Sequence, residues 1–539
     1  MTEKRKDILF LIFIFIITTI SFSLGFEASY VNWDDNVLIL DNILLRQPLW
    51  VAVKSAFGHY YFSDYLPVTL MSLWLDIKIF GYNSSAQHVV NLGLHLSNIA
   101  LFFYFLSLLK LPKIWIYIIV AVFAFHPVQT EVLMWVSNRN ILLATPLMLV
   151  SSILILRSNS KINFLVGSLF YVLSILCKSV SVLVPFLWIC IELFLMKRTL
   201  NSTQKYASFL LIIVAGLFVR VHAYSEGIKQ NFSAVTFDIT RIAQLPVAMF
   251  NALALYIKMF FYPTEYSIIY PRFSLTMNSI VAALTVFVFS MFLIWRYVKT
   301  KKSEYIFFIS LILIFLIPVL QILPRLSYVN DRYMYIPIIG FVGLLLTLLQ
   351  DLCENFKIIK LKYLHFVICI LIIPLPFFSY ARSQVWLGDR QLWEDTVEKI
   401  PTSQLARGNL ALAYYREGHY LEAVSLLKTV FSFDTDDGSV CNAYNNLAAI
   451  YSNSNAAEHF DINRALALLE EGVKRCVKIG DTFLLRLNMA LMHKNLRHNI
   501  EAKKILLKLK EDLIEASSID QRFQLISKRV DALINELSL

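Results

Sequence analysis

The chain has 539 residues, of which 58% are hydrophobic and 41 are phenylalanine, with a mean hydropathy of +0.62 and a formal net charge of +11. This is far more apolar than a soluble domain and marks an integral membrane protein. The basic excess does not indicate nucleic-acid binding, because lysines and arginines cluster between apolar runs and form no stripe of their own.

Eleven apolar runs fall near 8–25, 89–109, 114–126, 141–156, 162–176, 180–196, 206–222, 278–295, 304–323, 335–350 and 363–380. The first 25 residues have the charge and apolarity of a signal peptide. Their apolar run is longer than usual and has no small-residue cleavage site, so it reads as a retained span. Directly after it comes Tyr30-Val31-Asn32-Trp33-Asp34-Asp35-Asn36. An ionised aspartate costs several kcal/mol inside hydrocarbon, so this pair faces water, an aqueous cavity or a substrate. Adjacent residues point in different directions, so one of the two reaches a given reacting atom. A solvated loop is the plain alternative. The segment 26–88, with Pro48, Pro67 and an amphipathic piece at 66–80, is expected as an external loop lying on the membrane as short helices.

Span 89–109 and its approach carry His88, Asn91, His95 and Asn98 on one helical face. A polar stripe is costly against lipid and is expected to hydrogen-bond other helices. His88 and His95 lie roughly 10 Å apart along the axis, too far to share one metal ion easily. Next, His126-Pro127 opens a turn after which Glu131, Trp135 and Asn138 share a face at i, i+4, i+7, with Arg139 at its edge. That places a carboxylate and a guanidinium at one point, either as a site or as an internal salt bridge. Lys178 and the sequence Asn330-Asp331-Arg332-Tyr333 bring further charge between spans, and Arg332 could pair only with Asp331.

After residue 383 the composition turns to charged, alanine- and leucine-rich helix, so 1–383 and 384–539 read as two domains. Asn409-Leu410-Ala411 recurs as Asn446-Leu447-Ala448 and loosely as Asn488-Met489-Ala490, with Ala423, Ala465 and Ala502 at matching later points and an insertion around 453–461. These are expected to form tetratricopeptide-like helix pairs, an α-solenoid. None of the six cysteines forms a CxxC pair. Cys441 and Cys476 could pair if their domain lies outside the cytoplasm, and ordinary buried thiols are the preferred reading.

The ordered series Asn32-Trp33-Asp34-Asp35, His88-x-x-Asn91-x-x-x-His95, His126-Pro127-x-x-x-Glu131 with Trp135-x-x-x-Arg139, and Asn330-Asp331-Arg332-Tyr333-x-Tyr335-x-Pro337, ending in repeats, resembles the transmembrane, tetratricopeptide-containing O-mannosyltransferases and their bacterial relatives. The chain departs from that pattern at Cys177-Lys178-Ser179-Val180-Ser181, which lacks the proline of a family Ser-Lys-Pro stretch, and in its short repeat array. The resemblance implies an all-α, GT-C-type membrane bundle of about eleven transmembrane helices followed by the repeat solenoid. It also implies transfer of mannose or another hexose from a polyprenyl-phosphate carrier to an acceptor hydroxyl, with inversion. Asp34, with Asp35 as runner-up, would be the general base. His126, Glu131, Arg139, Lys178, Asp331 and Arg332 would bind the substrate, with Arg139, Lys178 and Arg332 the candidates for the leaving phosphate. The acceptor would be a protein or glycan, possibly held by the repeats. No cofactor or metal ligand is assigned. Some GT-C enzymes use a divalent metal, but fixed cations can stabilise a leaving phosphate without one.

An O-antigen-type polymerase or ligase, a membrane-anchored repeat scaffold and a transporter are the competing readings. With the N-terminus in the cytoplasm and the apolar stretch 242–261 lying in the outer interface, the inner segments hold 17 lysines and arginines in 44 residues and the outer ones 12 in 149. This follows the positive-inside pattern. It places Asp34 and the repeats on the non-cytoplasmic side, periplasmic in a bacterium or luminal in the endoplasmic reticulum.

Overall fold

A computed structural model describes residues 2–537 apart from 59–63, 158–159, 198–209, most of 211–238, 272, 323–326, 357–360, 432–438, 457–458, 477–478 and 518–520. Among the described residues the chain is helical and forms no strand. It divides into two compact units, one ending at Gly388 and one running from Asp389 to Leu539.

Six helices in the first unit are long and apolar enough to cross a membrane: Ser84–Leu108, Val136–Arg157, Ile242–Phe261, Met277–Thr300, Pro337–Asn355 and Tyr363–Gln384. A bent pair, Lys113–Phe125 with Pro127–Met134, makes a seventh if it is one span. Length and composition therefore support six or seven crossings where eleven runs were expected. Lys161–Cys177, Ser179–Leu195 and Ser303–Val319 are shorter apolar helices. The helix Glu3–Ser21 begins with five charged residues and is apolar only from Ile8. The run 206–222 lies largely outside the described residues. Ile239–Phe261 is one continuous helix despite Pro246. Its length and apolarity make it a candidate span by composition.

Helix boundaries follow local chemistry. Asn83 Oδ1 accepts from Ala86 N at 3.1 Å and caps Ser84–Leu108. Lys113–Phe125 stops at His126, extended because Pro127 follows. Gly343 lets Pro337–Phe356 lie close against Phe308 of Ser303–Leu316, where any Cβ would collide with the ring.

Ion pairs mark one end of the bundle and an aromatic contact the other. Asp7 binds Lys113 and Tyr117, each at 2.7 Å, so Glu3–Ser21 and Lys113–Phe125 start at one end. Tyr335 packs on Phe123 at the far end of the latter helix, so Pro337–Phe356 runs back the other way. Near its finish Asp351 takes Arg296, Tyr305 at 2.9 Å and Lys302 at 3.3 Å. Lys301 and Asp7 thus mark one face, and Tyr335 and His126 the other.

The segment after the first helix forms a small core of its own. Leu38, Ile39, Leu44, Leu45, Ala52, Ala56, Leu70, Leu73 and Ile77 pack with Val136. Leu49–Gly58 leaves Leu49, Trp50, Val51 and Phe57 exposed, the pattern of a helix in a membrane surface.

In the second unit, successive helices from Asp389–Lys399 to Gln521–Glu536 pack each on the next, and Gln404–Arg416, Ser439–Tyr451 and Ile479–Asn495 also touch in series. Ala423, Ala465 and Ala502 are fully buried in this unit. Gly418 has φ +84, the left-handed conformation that ends a helix. Cys441 and Cys476 form a disulfide with a Cα–Cα distance of 5.9 Å, in place of the two buried thiols preferred from the sequence. The pairing was not legible because it depends on Ser439–Tyr451 lying against Ile462–Arg475.

Candidate active site

The Asp pair divides its work. Asp35 is buried, with Oδ2 accepting from Val31 N at 3.1 Å and Oδ1 accepting from Ser137 N at 2.9 Å and from Ser137 Oγ. It ties the loop to residues 136–138. Asp34 is only half-buried, and its carboxylate makes no hydrogen bond with the described residues. Burial pushes the Asp34 carboxyl up to about 6, against the pull of Arg332. Burial also pushes Asp35 to about 6, opposed by its bonds from Ser137 and Val31.

Glu131 and Arg332 pair, and both act electrostatically on Asp34. Arg332 Nη1 donates to Glu131 Oε1 at 2.5 Å, and Arg332 N donates to Oε2 at 2.8 Å. Burial opposes the Arg332 charge, but Glu131, Tyr333 and Asp34 outweigh it and hold its pKa above the ordinary value. The guanidinium lies 5.2 Å over Trp135 and 5.1 Å over Tyr333, and Trp135 stacks on Trp386 at 6.1 Å. Nε and Nη2 of Arg332 have no hydrogen-bond partner among the described residues, which leaves an oriented cation whose charge acts on the partly buried Asp34 carboxylate. Asp331 accepts from Tyr270 OH at 2.5 Å, and burial together with Asp331 keeps that phenol protonated.

Tyr335 anchors the segment that bears Arg332. His95 Nδ1 lies 2.8 Å from its hydroxyl, Asn98 Nδ2 donates to it at 3.0 Å, and His95 Nε2 reaches Ala124 O at 2.9 Å. His88 Nδ1 lies 3.4 Å from Leu133 O, and Asn91 Oδ1 accepts from Arg139 Nε at 2.8 Å. The polar face of Ser84–Leu108 thus makes interhelical hydrogen bonds.

Three of the substrate-binding candidates are held by other partners. Arg139 is fully buried and gives Nη1 to Asp76, Nε to Asn91 and Nη2 to Gln87 O at 3.0 Å. It does not share a face with Glu131, because Thr130–Met134 ends at Trp135, whose backbone is extended at φ −116, ψ 111. Ser137 N goes to Asp35 instead of continuing the helix. Lys178 reaches Asn140 Oδ1 at 3.0 Å. His126 has both ring nitrogens engaged, Nδ1 accepting from Val128 N at 3.3 Å and Nε2 reaching Phe260 O at 3.2 Å. Among the described residues no group of three or more His, Cys, Asp or Glu is arranged to hold a metal ion.

The sequence reading missed Asp76, Ser137, Tyr270 and Trp386. Asp76 is the one acidic residue of Pro67–Phe80 and could have been flagged for that. The others carry no signal without their tertiary partners.

The chain is similar to a protein O-mannosyl-transferase of Caenorhabditis elegans, 26% identical over 386 residues that cover 67% of this chain and 52% of the worm protein. The chain therefore spans about half the length of the curated relative it matches. No family model and no solved structure matches it.

Proposed function

We propose that the protein is a membrane glycosyltransferase of GT-C type that moves mannose or another hexose from a polyprenyl-phosphate carrier to an acceptor hydroxyl, with a protein serine or threonine as the acceptor. The observation that carries this reading is the Glu131–Arg332 pair, whose charges act on Asp34, in a chain similar to an O-mannosyl-transferase. Asp34 is the general base. Its carboxylate makes no hydrogen bond with the described residues, and a pKa near 6 suits proton removal at neutral pH. The acceptor oxygen attacks the anomeric carbon, the bond to the carrier phosphate breaks, and configuration inverts. Arg332, held by Glu131, directs Nε and Nη2 at the leaving phosphate, where a guanidinium binds two oxygens at once. Asp35 fixes the loop that presents Asp34. Tyr270 and Asp331 support the backbone beside Arg332. Arg139 and Lys178 act in this reading through the fold, and His126 by joining the bent pair to Ile239–Phe261.

In this reading the shorter apolar helices complete crossings toward about eleven spans, and the second unit is a tetratricopeptide array that holds the acceptor. In this reading the second unit lies on the non-cytoplasmic side, which its disulfide supports. The test is to incubate the purified protein with a panel of polyprenyl-phosphate sugars and measure free carrier phosphate. Release with one donor is the expected result. No release with any donor from folded protein would favour a non-enzymatic scaffold.

A further inference from the structure

We propose that the second unit pairs with a second copy of itself through the helix Asn499–Ser517, in an antiparallel contact with Leu507 on the two-fold axis. Ile500, Leu507 and Ile514 recur every seven residues and line one side of this helix, with 84%, 45% and 64% of their surface exposed. Three large apolar side chains in one line on an exposed face mark a contact surface. Lys504 and Glu511 stand exposed between them, and neither has an ion-pair partner among the described residues.

A two-fold contact must be complementary to itself. With Leu507 at the centre of an antiparallel pair, Ile500 falls opposite Ile514 of the other copy, and Leu507 meets its own equivalent. Lys504 comes level, to about one residue's rise, with Glu511 of the other copy, on the same flank, and symmetry repeats that pair. On the other flank Lys503 approaches Lys510, whose charge is already taken by Asp531 at 2.7 Å. Apolar size thus matches its own image about one residue, and charge does so on the flank of Lys504 and Glu511. A lipid surface would gain from the apolar line and the lysines but not from Glu511 at its centre. The contact is one helix wide, below the size of a stable soluble dimer. Anchoring in one membrane raises the local concentration that a small contact needs.

The test uses the full chain in membranes, with Cys177, Cys190, Cys353 and Cys369 replaced and the native disulfide kept. Leu507→Cys should form a disulfide-linked dimer under mild oxidation, while Lys474→Cys on Ile462–Arg475 should not. Lys504→Glu or Glu511→Lys added to Leu507→Cys should each cut the linked fraction about fivefold, and the two together should restore it, because the swapped charges still match across the axis. No linking at residue 507 in folded protein, or no recovery in the doubly swapped variant, overturns the proposal. A probe at residue 507 quenched by spin-labelled lipid would assign the stripe to the bilayer instead.

Discussion

Replacing Arg139 with alanine should act on stability before it acts on chemistry. The guanidinium is fully buried and joins three elements: Asp76 on Pro67–Phe80, Asn91 and Gln87 O on Ser84–Leu108, and its own helix Arg139–Arg157. Its loss leaves the buried Asp76 carboxylate without its counter-ion and the Asn91 side-chain oxygen without a donor. Removing one partner of a buried pair costs about 3–5 kcal/mol, so Arg139→Ala should fall at that level. Asp76→Leu with Arg139→Met removes both charges and should recover most of it, with a coupling energy of about 2 kcal/mol or more. Unfolding of detergent-solubilised protein in increasing dodecyl sulfate, followed by tryptophan fluorescence, measures each variant. If Arg139→Ala unfolds within about 0.5 kcal/mol of the parent yet loses donor affinity, the residue is a substrate ligand and the structural role assigned to it is wrong.

Turnover should fall as pH drops through about 6, because the base works as a carboxylate and burial holds the Asp34 pKa at that level, so protonation removes it below. The acid limb should vanish from the residual rate of Asp34→Asn, which a pH–rate profile checks. Cys441→Ser opens a closure of 35 residues and should cost the second unit about 4 kcal/mol in the chain-entropy account, read as a lowered midpoint in chemical unfolding. Glu27→Cys and Lys301→Cys, in a variant stripped of its four free cysteines, should differ in reaction with an impermeant thiol reagent applied to one side. Residue 27 lies with Asp34 and residue 301 at the opposite end, so labelling of both from one side would contradict the arrangement of the spans.

Much of the membrane unit was legible where a residue's chemistry acts alone. The polar face His88, Asn91, His95, Asn98 was readable because lipid excludes it at helical spacing, and the structure gives each of them hydrogen-bonding work. Residues 130–139 were not readable. Local pattern favours one helix there, but Ser137 N turns to Asp35 and Leu133 O to His88, so tertiary partners replace the helical bonds at Trp135. That break separates Arg139 from Glu131 and leaves Glu131 to Arg332, 201 residues away in sequence. Apolar runs alone did not fix the span number, because several of them fold as helices of fewer than 18 residues. The cysteine pairing likewise needed two helices brought together.

In the proposed mechanism Asp34 removes the acceptor proton while Asp35 holds the loop. The most direct measurement is single-turnover release of carrier phosphate by Asp34→Asn and Asp35→Asn, each shown to be folded and given a saturating donor identified from the panel. Asp34→Asn should lose roughly 10²-fold or more in rate with unchanged donor affinity. Asp35→Asn should lose stability and retain more of its rate. Release by Asp34→Asn at the parent rate would contradict the account.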